Sequence, residues 1–194
     1  WVSYPEQVKL AGGVPVFVET TLREGFLLSP EKLQAAINKG GPAKARVLVL
    51  NSPSNPTGAV YPPEHLRKLC EIADKAGLLI VSDEIYEKLI YGPPHASPAA
   101  FGLSIYNRTV TVNGVSKSYS MTGWRIGYAA GPKDIIAAMG RIQSHETSNP
   151  ASISQAAALE ALNRGDADIK PMAEAFQKRR DLILLLLSKI KGMV

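Results

Sequence analysis

The feature of this sequence that most constrains its fold is a pair of short apolar runs, ARVLVLN at 45–51 and LLIVSDE at 78–84. Runs of valine, leucine and isoleucine without polar alternation are typical of strands that are buried on both faces. The segment between them, 62–76, has apolar residues at helical spacing and ends before Gly77, a residue type common just past a helix. Strand, helix and strand in this order predict parallel strands in an α/β sheet.

Other segments continue the alternation of strand and helix patterns. We predict three more strands, at 14–19, 108–113 and 125–131, and four more helices, at 29–37, 132–144, 152–163 and 167–191. The helix at 29–37 begins with Ser29 as its N-cap and Pro30 at its first position. The last helix has apolar residues on more than one face, so we expect it to pack beneath other elements. The predicted fold is α/β, with three α/β/α layers around a mostly parallel sheet.

Composition and charge narrow the function classes. The 194 residues are 45% hydrophobic and 20% charged, as in an ordinary globular protein. The net charge of +5 is spread along the chain apart from one basic cluster at 178–180, which we interpret as the solvated face of a helix rather than a nucleic-acid patch. The longest apolar run, LILLLL at 182–187, is too short to span a membrane. We therefore predict neither nucleic acid nor membrane as a partner.

Cysteine and histidine usage argues against a metal site. The single cysteine, Cys70, excludes an internal disulfide and a multi-cysteine zinc site, and its place in a helical pattern favours a packed position. The three histidines are far apart in sequence and lack metal-ligand spacing. No metal is predicted.

The unusual polar stretches of the chain all come at the ends of predicted strands. They are SPSNPTG at 52–58, SDEIY at 82–86 and NGVSK at 113–117. Ligands of open α/β sheets bind outside the carboxyl ends of the strands. We therefore expect these three stretches to form the functional site.

Lys117 is the residue in these stretches best suited to covalent chemistry. Desolvation and a neighbouring cation make a lysine amine a nucleophile for carbonyl groups. A carbonyl cofactor held as a Schiff base, such as pyridoxal phosphate (PLP), is therefore one interpretation of the set. PLP needs a carboxylate at its ring nitrogen, donors at its ring oxygen, and a cation with small groups at its phosphate. The candidates are, in that order, Asp83; Asn55 and Tyr86; and Arg125, Ser116 and Gly114.

Each of these residues also has an ordinary structural interpretation. Asp83 suits a helix cap or a turn, and Asn55 begins an Asn-Pro-Thr-Gly turn. Tyr86 alone fits a packed aromatic, Lys117 a solvated loop lysine, and Arg125 a surface ion pair. Only the placement of the whole set at successive strand ends favours a Schiff-base enzyme.

Three motifs carry a resemblance to a known family. NSPSNPTGAVY, VSDEIYEKLIY and NGVSKSYSMTGWRIGYAAGP together resemble the class I aminotransferases, which are PLP enzymes of fold type I. The likeness runs over essentially the whole chain. WVSYPEQVKLAGG at the start and SNPASISQAAALEAL at 148–162 are typical of the aspartate aminotransferase branch of bacteria and plastids, which includes the prephenate aminotransferases.

The resemblance implies a role for each matching residue. Lys117 matches the Schiff-base lysine that also moves the proton between substrate and cofactor, and Asp83 matches the partner of the ring nitrogen. The remaining matches are the ring-oxygen donors Asn55 and Tyr86, the phosphate-binding Arg125, and the ring-stacking Trp1. Gly114 stands where many relatives have a phosphate-binding serine, so its backbone N–H and Ser116 are expected to serve instead. The resemblance also implies a cis peptide before Pro56.

The resemblance further implies that the chain is part of a longer protein. Residues 1–165 are expected to form most of the large cofactor-binding domain, and 166–194 a long helix leading toward a small second domain. The family's substrate-carboxylate residues and a second phosphate-binding loop are expected outside this sequence, so the isolated chain should not transaminate. Expected partners are amino acid and 2-oxo acid substrates and a second copy in a homodimer. The expected compartment is the cytoplasm or the plastid.

Two other functions stay open at this point. The same cofactor core serves other chemistries of this fold, such as C–S lyases and ring-forming synthases. A non-catalytic regulator domain built on the aminotransferase fold is the third possibility. Amino transfer from aspartate or glutamate to a 2-oxo acid is the function that the motifs favour.

Overall fold

A computed structural model describes residues 1–40 and 45–193 of the chain. The helices are α1 (Ser3–Leu10), α2 (Pro30–Gly40), α3 (Pro63–Lys75), α4 (Leu103–Tyr106), α5 (Lys133–Glu146), α6 (Ser152–Arg164) and α7 (Ile169–Leu187). The strands are β1 (Val47–Asn51), β2 (Leu79–Asp83), β3 (Thr109–Gly114) and β4 (Gly127–Ala130). Val194, the last residue of the predicted 166–194 segment, lies outside the described residues.

The four strands form one sheet in the order β1-β2-β3-β4. β1, β2 and β3 are parallel, and β4 is antiparallel to β3. Helices lie on both faces of the sheet. The predicted α/β fold with a mostly parallel sheet is therefore confirmed, and the parallel strands all end at one edge.

Local sequence signals account for the helix between the first two parallel strands. α3 buries Leu66, Leu69, Cys70 and Ala73, a stripe at helical spacing that faces the sheet. Its end has the hydrogen bonds of a Schellman motif: the Leu78 N–H donates to the Ala73 carbonyl at 2.9 Å, past a glycine with φ of +71°. The buried position predicted for the cysteine is thus confirmed.

Two hydrophobic clusters hold the layers together. The larger one joins α2, α3, β1, β2 and α4, with Leu33, Leu69 and Ile80 among its buried members. The smaller one packs Val115, just after β3, against Ala158 and Ala161 of α6.

The start of α2 also agrees with the sequence. The Ser29 hydroxyl accepts from the Lys32 N–H at 3.2 Å, as predicted for the N-cap of α2.

The strand predicted at 14–19 is wrong. This run has no regular secondary structure, and Val14, Val16 and Phe17 are 73 to 85% exposed. A strand requires a neighbour to accept and donate its backbone hydrogen bonds, and no strand among residues 1–40 and 45–193 pairs with it. The residues of this run favour a strand, but the sequence pattern carries no information on whether a second strand is available to pair with it.

The packing predicted for the last helix is also wrong. α7 forms, but Leu182 through Leu186 are each 53 to 57% exposed. Ile169 is the one buried residue of α7, near its start. Within the part of the chain described here, the C-terminal half of this helix has little to pack against. None of the described helices combines the length and the apolarity needed to cross a membrane.

Candidate functional site

The ends of the three parallel strands meet in register. Asn51 of β1 lies opposite Asp83 of β2, and Asp83 lies opposite Val112 of β3. The Asn51 side-chain amide also donates to the Asp83 carbonyl at 3.2 Å, which ties the first two strand ends together. The stretches 52–58, 82–86 and 113–117 therefore leave the sheet side by side at this edge.

The carboxylate of Asp83 is held from two directions. One oxygen, Oδ1, accepts from the Ile85 N–H at 3.1 Å, and the other, Oδ2, accepts from the Tyr4 hydroxyl at 2.6 Å. A distance of 2.6 Å is that of a charge-assisted O–H···O⁻ hydrogen bond. Burial, followed by the bond to Asp83 and its negative charge, raises the pKa of Tyr4 well above its ordinary value. Tyr4 therefore stays protonated and acts as a donor.

Asn55 and Tyr86 come together across the edge. The Asn55 backbone N–H donates to the Asn51 side-chain oxygen at 3.0 Å, and the Asn55 side-chain amide donates to the Tyr86 hydroxyl at 3.4 Å. The Asn55–Pro56 peptide is cis, as the resemblance implied, and so is Ser52–Pro53. Both side chains are half-buried.

Lys117 lies in the turn that follows β3, between the buried residues Val115 and Ser118. Its Nζ atom is 5.8 Å from the centre of the Tyr86 ring, so the amine faces the same cluster as Asn55 and Tyr86. Ser116 is half-buried in the same turn. The structure thus brings Lys117 to the edge that carries Asp83, Asn55 and Tyr86.

Gly114 is required for a close approach of two strands. A Cβ atom there would lie 3.1 Å from the Gly127 Cα and 3.2 Å from the Ile126 carbonyl oxygen. Its N–H donates to the Asn113 side-chain oxygen at 2.7 Å. Glycine at this position is therefore explained by packing against β4, and its phosphate role stays a prediction.

Arg125 and Trp1 are both more exposed than the other candidate residues. Arg125 has a left-handed backbone with φ of +51°, is exposed, and donates through Nη1 to the Thr122 carbonyl at 2.9 Å. One guanidinium donor is thus occupied out of five. The amino group of Trp1 donates to the Asn55 carbonyl at 3.4 Å, while the residue is 62% exposed. Both roles stay predictions.

Sequence reasoning missed Tyr4 as a member of this site. It lies 79 positions from Asp83, and no local pattern joins the two residues. α1 places the Tyr4 hydroxyl at the strand ends, from the first turn of the helix.

The sequence analysis also missed a second polar cluster, which is centred on Glu84, the residue that follows β2. Glu84 is buried, and its carboxylate accepts from the hydroxyls of Ser82 and Ser97 at 2.9 and 2.7 Å and from His95 Nε2 at 2.9 Å. The ligand atoms of Glu84, Glu87 and His95 lie within 4.8 Å of one another. The Glu84 oxygens are therefore satisfied by donors within the protein, while His95 Nδ1 is buried and has no hydrogen-bond partner among the described residues.

A family profile and curated relatives match this chain over essentially its whole length. The sequence profile of the family described as aminotransferase class I and II matches residues 1–194. The chain is 52% identical to the aspartate aminotransferase of Geobacillus stearothermophilus over 193 residues, which cover 99% of this chain and 48% of that protein. It is 50% identical to the aspartate/prephenate aminotransferase of Cereibacter sphaeroides over 195 residues, covering 100% of this chain and 48% of the relative.

Solved structures agree with the sequence relatives. The aspartate aminotransferase from Thermus thermophilus with maleate superposes with a TM-score of 0.91 at 48% identity, covering 97% of this chain and 48% of that one. The enzyme from Rhizobium meliloti gives a TM-score of 0.93 at 45% identity, covering 99% and 48%. The chain spans about half the length of the relatives it matches. By its sequence and its fold, this chain belongs to the class I and II aminotransferase family.

Proposed function

We propose that the chain is the cofactor-binding part of a PLP-dependent aminotransferase that transfers the amino group of aspartate or glutamate to a 2-oxo acid. The observation that carries the proposal is the convergence of Lys117, Asp83, Asn55 and Tyr86 at one edge of the sheet. A lysine facing an amide and a phenol, beside a fixed carboxylate, is the donor set that PLP needs.

The chemistry of this donor set fits the cofactor. PLP, when bound, supplies the electron sink that stabilises a carbanion at the substrate α-carbon. Asp83 would hold the proton on the ring nitrogen, because its carboxylate is fixed by two donors and faces the edge. Asn55 and Tyr86 would donate to the ring oxygen. Arg125 and Ser116 would bind the phosphate, and the Gly114 N–H would join them only by exchanging its bond to the Asn113 side chain for one to the phosphate. Trp1 would supply a flat apolar wall.

Lys117 has two tasks in the proposed reaction. Its amine is the nucleophile that holds the cofactor, and once released by the substrate it is the base that moves a proton at the substrate α-carbon. The turn that carries it is anchored by Val115 and Ser118, which are 0 and 3% exposed. A rigid anchor on either side keeps the amine within reach of the same atoms in both steps.

The substrate class rests on the relatives. Proteins at 50 to 52% identity are named aspartate aminotransferase and aspartate/prephenate aminotransferase, which supports dicarboxylic amino donors and 2-oxo acid acceptors. We also propose a homodimer for the full-length protein, residues 1–165 as most of its large domain, and a location in the cytoplasm or the plastid. The relatives that this chain matches come from organisms as different as Bacillus subtilis and Petunia hybrida.

Substitution of the lysine in the full-length protein tests the proposal. We expect Lys117→Ala to lower the rate of amino transfer from aspartate to 2-oxoglutarate by at least about 10³-fold, since nucleophile and base are lost together. Lys133→Ala, at an exposed position of α5, is the matched control and should keep the wild-type rate. A Lys117→Ala enzyme that transaminates at the wild-type rate, or a wild type that yields only elimination products, would contradict the proposal.

A further inference from the structure

The hydroxyl of Tyr4 is placed to act on Asp83 rather than merely to fill space. α1, which carries it, has no fully buried residue, so apolar packing alone does not determine where this helix lies. Its polar link to the sheet edge is the bond from Tyr4 to Asp83, and the Trp1 amino group, two residues before the helix, contacts Asn55 nearby. Both end on residues of the candidate site.

The bond from Tyr4 also completes the restraint on the Asp83 carboxylate. The backbone of Asp83 is fixed on both sides, because its carbonyl accepts from the Ser52 N–H at 3.2 Å and the next N–H, of Glu84, donates to Val112 at 2.9 Å. The side chain has one donor from its own loop, the Ile85 N–H, and one from α1. Without the Tyr4 hydroxyl, rotation of the carboxylate would be opposed from one side alone.

A hydroxyl makes a shorter and stronger hydrogen bond to a carboxylate than to a neutral acceptor, so the bond from Tyr4 restrains the side chain of Asp83 effectively. Tyr4 keeps its proton over the working range of pH, since its own pKa is raised by burial and by Asp83. The phenol therefore cannot accept the proton that Asp83 is proposed to share with the cofactor ring. Its effect is to orient the carboxylate.

We propose that Tyr4 is a positioning residue of the cofactor site, whose hydroxyl holds the Asp83 carboxylate directed for pairing with the ring nitrogen of PLP. This inference rests on the proposed function, because it assigns Tyr4 a task only where PLP is bound. It adds a residue of α1 to a site otherwise built from strand ends. Tyr4 acts through Asp83 and needs no contact with the cofactor or the substrate.

The test uses the full-length protein and the Tyr4→Phe variant, which keeps the ring and removes the hydroxyl. We expect PLP to bind the apoprotein about tenfold more weakly, measured by absorbance titration, because one hydrogen bond to a charged group is lost. At saturating PLP we expect kcat to fall about tenfold while KM for aspartate stays within about twofold, as for an interaction that matters in the chemical step. Tyr106→Phe, at a 57% exposed position, is the control and should match the wild type.

A double-mutant cycle separates this role from a general packing role. In an Asp83→Asn background the carboxylate is absent, so Tyr4→Phe should change PLP affinity by less than about twofold further. Equal effects of Tyr4→Phe in both backgrounds, or wild-type affinity and kcat in the single variant, would overturn the role of Tyr4 and leave the proposed function intact. A wild-type protein that binds no PLP would overturn both.

Discussion

The buried carboxylate of Glu84 gives the sharpest stability prediction. The residue is 3% exposed, and three groups donate to it: the hydroxyls of Ser82 and Ser97 and the Nε2 atom of His95. Its backbone N–H donates to the Val112 carbonyl, so it forms the junction between β2, β3 and the segment at 95–97. We expect Glu84→Ala to be strongly destabilising, because all three donors lose their acceptor at once.

The magnitude follows from the number of groups left without a partner. An unsatisfied buried polar group costs about 1–3 kcal/mol, so three of them, partly relaxed toward water, cost about 3–5 kcal/mol. The entropy of unfolding is about 2.1 cal/mol/K per residue, or about 0.4 kcal/mol/K for 194 residues. A loss of about 3 kcal/mol then lowers Tm by about 7 °C if this chain unfolds as one unit, and by about half that in a protein of twice the length.

Glu84→Gln is the informative companion variant. Its side-chain oxygen can still accept from the serine hydroxyls, but its NH₂ group faces His95 Nε2. The ring must then accept at Nε2 and carry its proton on Nδ1, an atom that is buried and has no partner among the described residues. We therefore expect an intermediate loss, about 1–2 kcal/mol.

Differential scanning calorimetry of the full-length protein would measure these shifts. Glu71→Gln, at an exposed position of α3, serves as the control for loss of one carboxylate and should leave Tm within about 1 °C of the wild type. The reasoning is refuted if Glu84→Ala unfolds at the temperature of that control, or if Glu84→Gln is the more damaging of the two variants.

Two further predictions concern packing. Gly114→Ala should destabilise the protein by about 1–3 kcal/mol and lower its Tm, because the new Cβ would lie 3.1 Å from the Gly127 Cα. Gly140→Ala is the control, since a Cβ there meets nothing within 4 Å, and it should be neutral or slightly stabilising. Equal Tm values in the two variants would contradict this reasoning. Cys70 should not react with a thiol reagent such as DTNB until the protein is unfolded in urea, since it is 0% exposed and burial raises its pKa to about 12; rapid labelling of the native protein would contradict this.

The sequence predicted the elements whose signals are local. β1, β2 and β3 lie where the strand patterns predicted them, and α3 ends at Lys75, two residues before Gly77, because the cap residues themselves determine that end. The antiparallel direction of β4 was not predicted, because an apolar pattern indicates that a strand exists but not its direction in the sheet. The strand at 14–19 failed for a related reason: its hydrogen-bond partner is no part of its own pattern.

The candidate site shows the same difference between residues with local sequence signals and residues without them. Asp83, Asn55 and Lys117 were predictable because each closes a strand or lies in the turn after one, and parallel strands bring such positions to one edge. Tyr4 and His95 were not, because each reaches its carboxylate from a segment that no local pattern relates to it. The residues proposed to act directly were thus visible in the sequence, while Tyr4 and His95 became apparent only in the structure.

The most direct test of the central claim is to trap the cofactor on its lysine. Full-length protein incubated with PLP would be treated with sodium borohydride, which reduces a lysine–carbonyl C=N bond to a stable amine, then digested and mapped by mass spectrometry. The account predicts a phosphopyridoxyl adduct on the peptide that contains Lys117, and its absence from that peptide when Asp83, Asn55 and Tyr86 are intact would contradict the account. An adduct confined to any other lysine would place the site elsewhere and refute it.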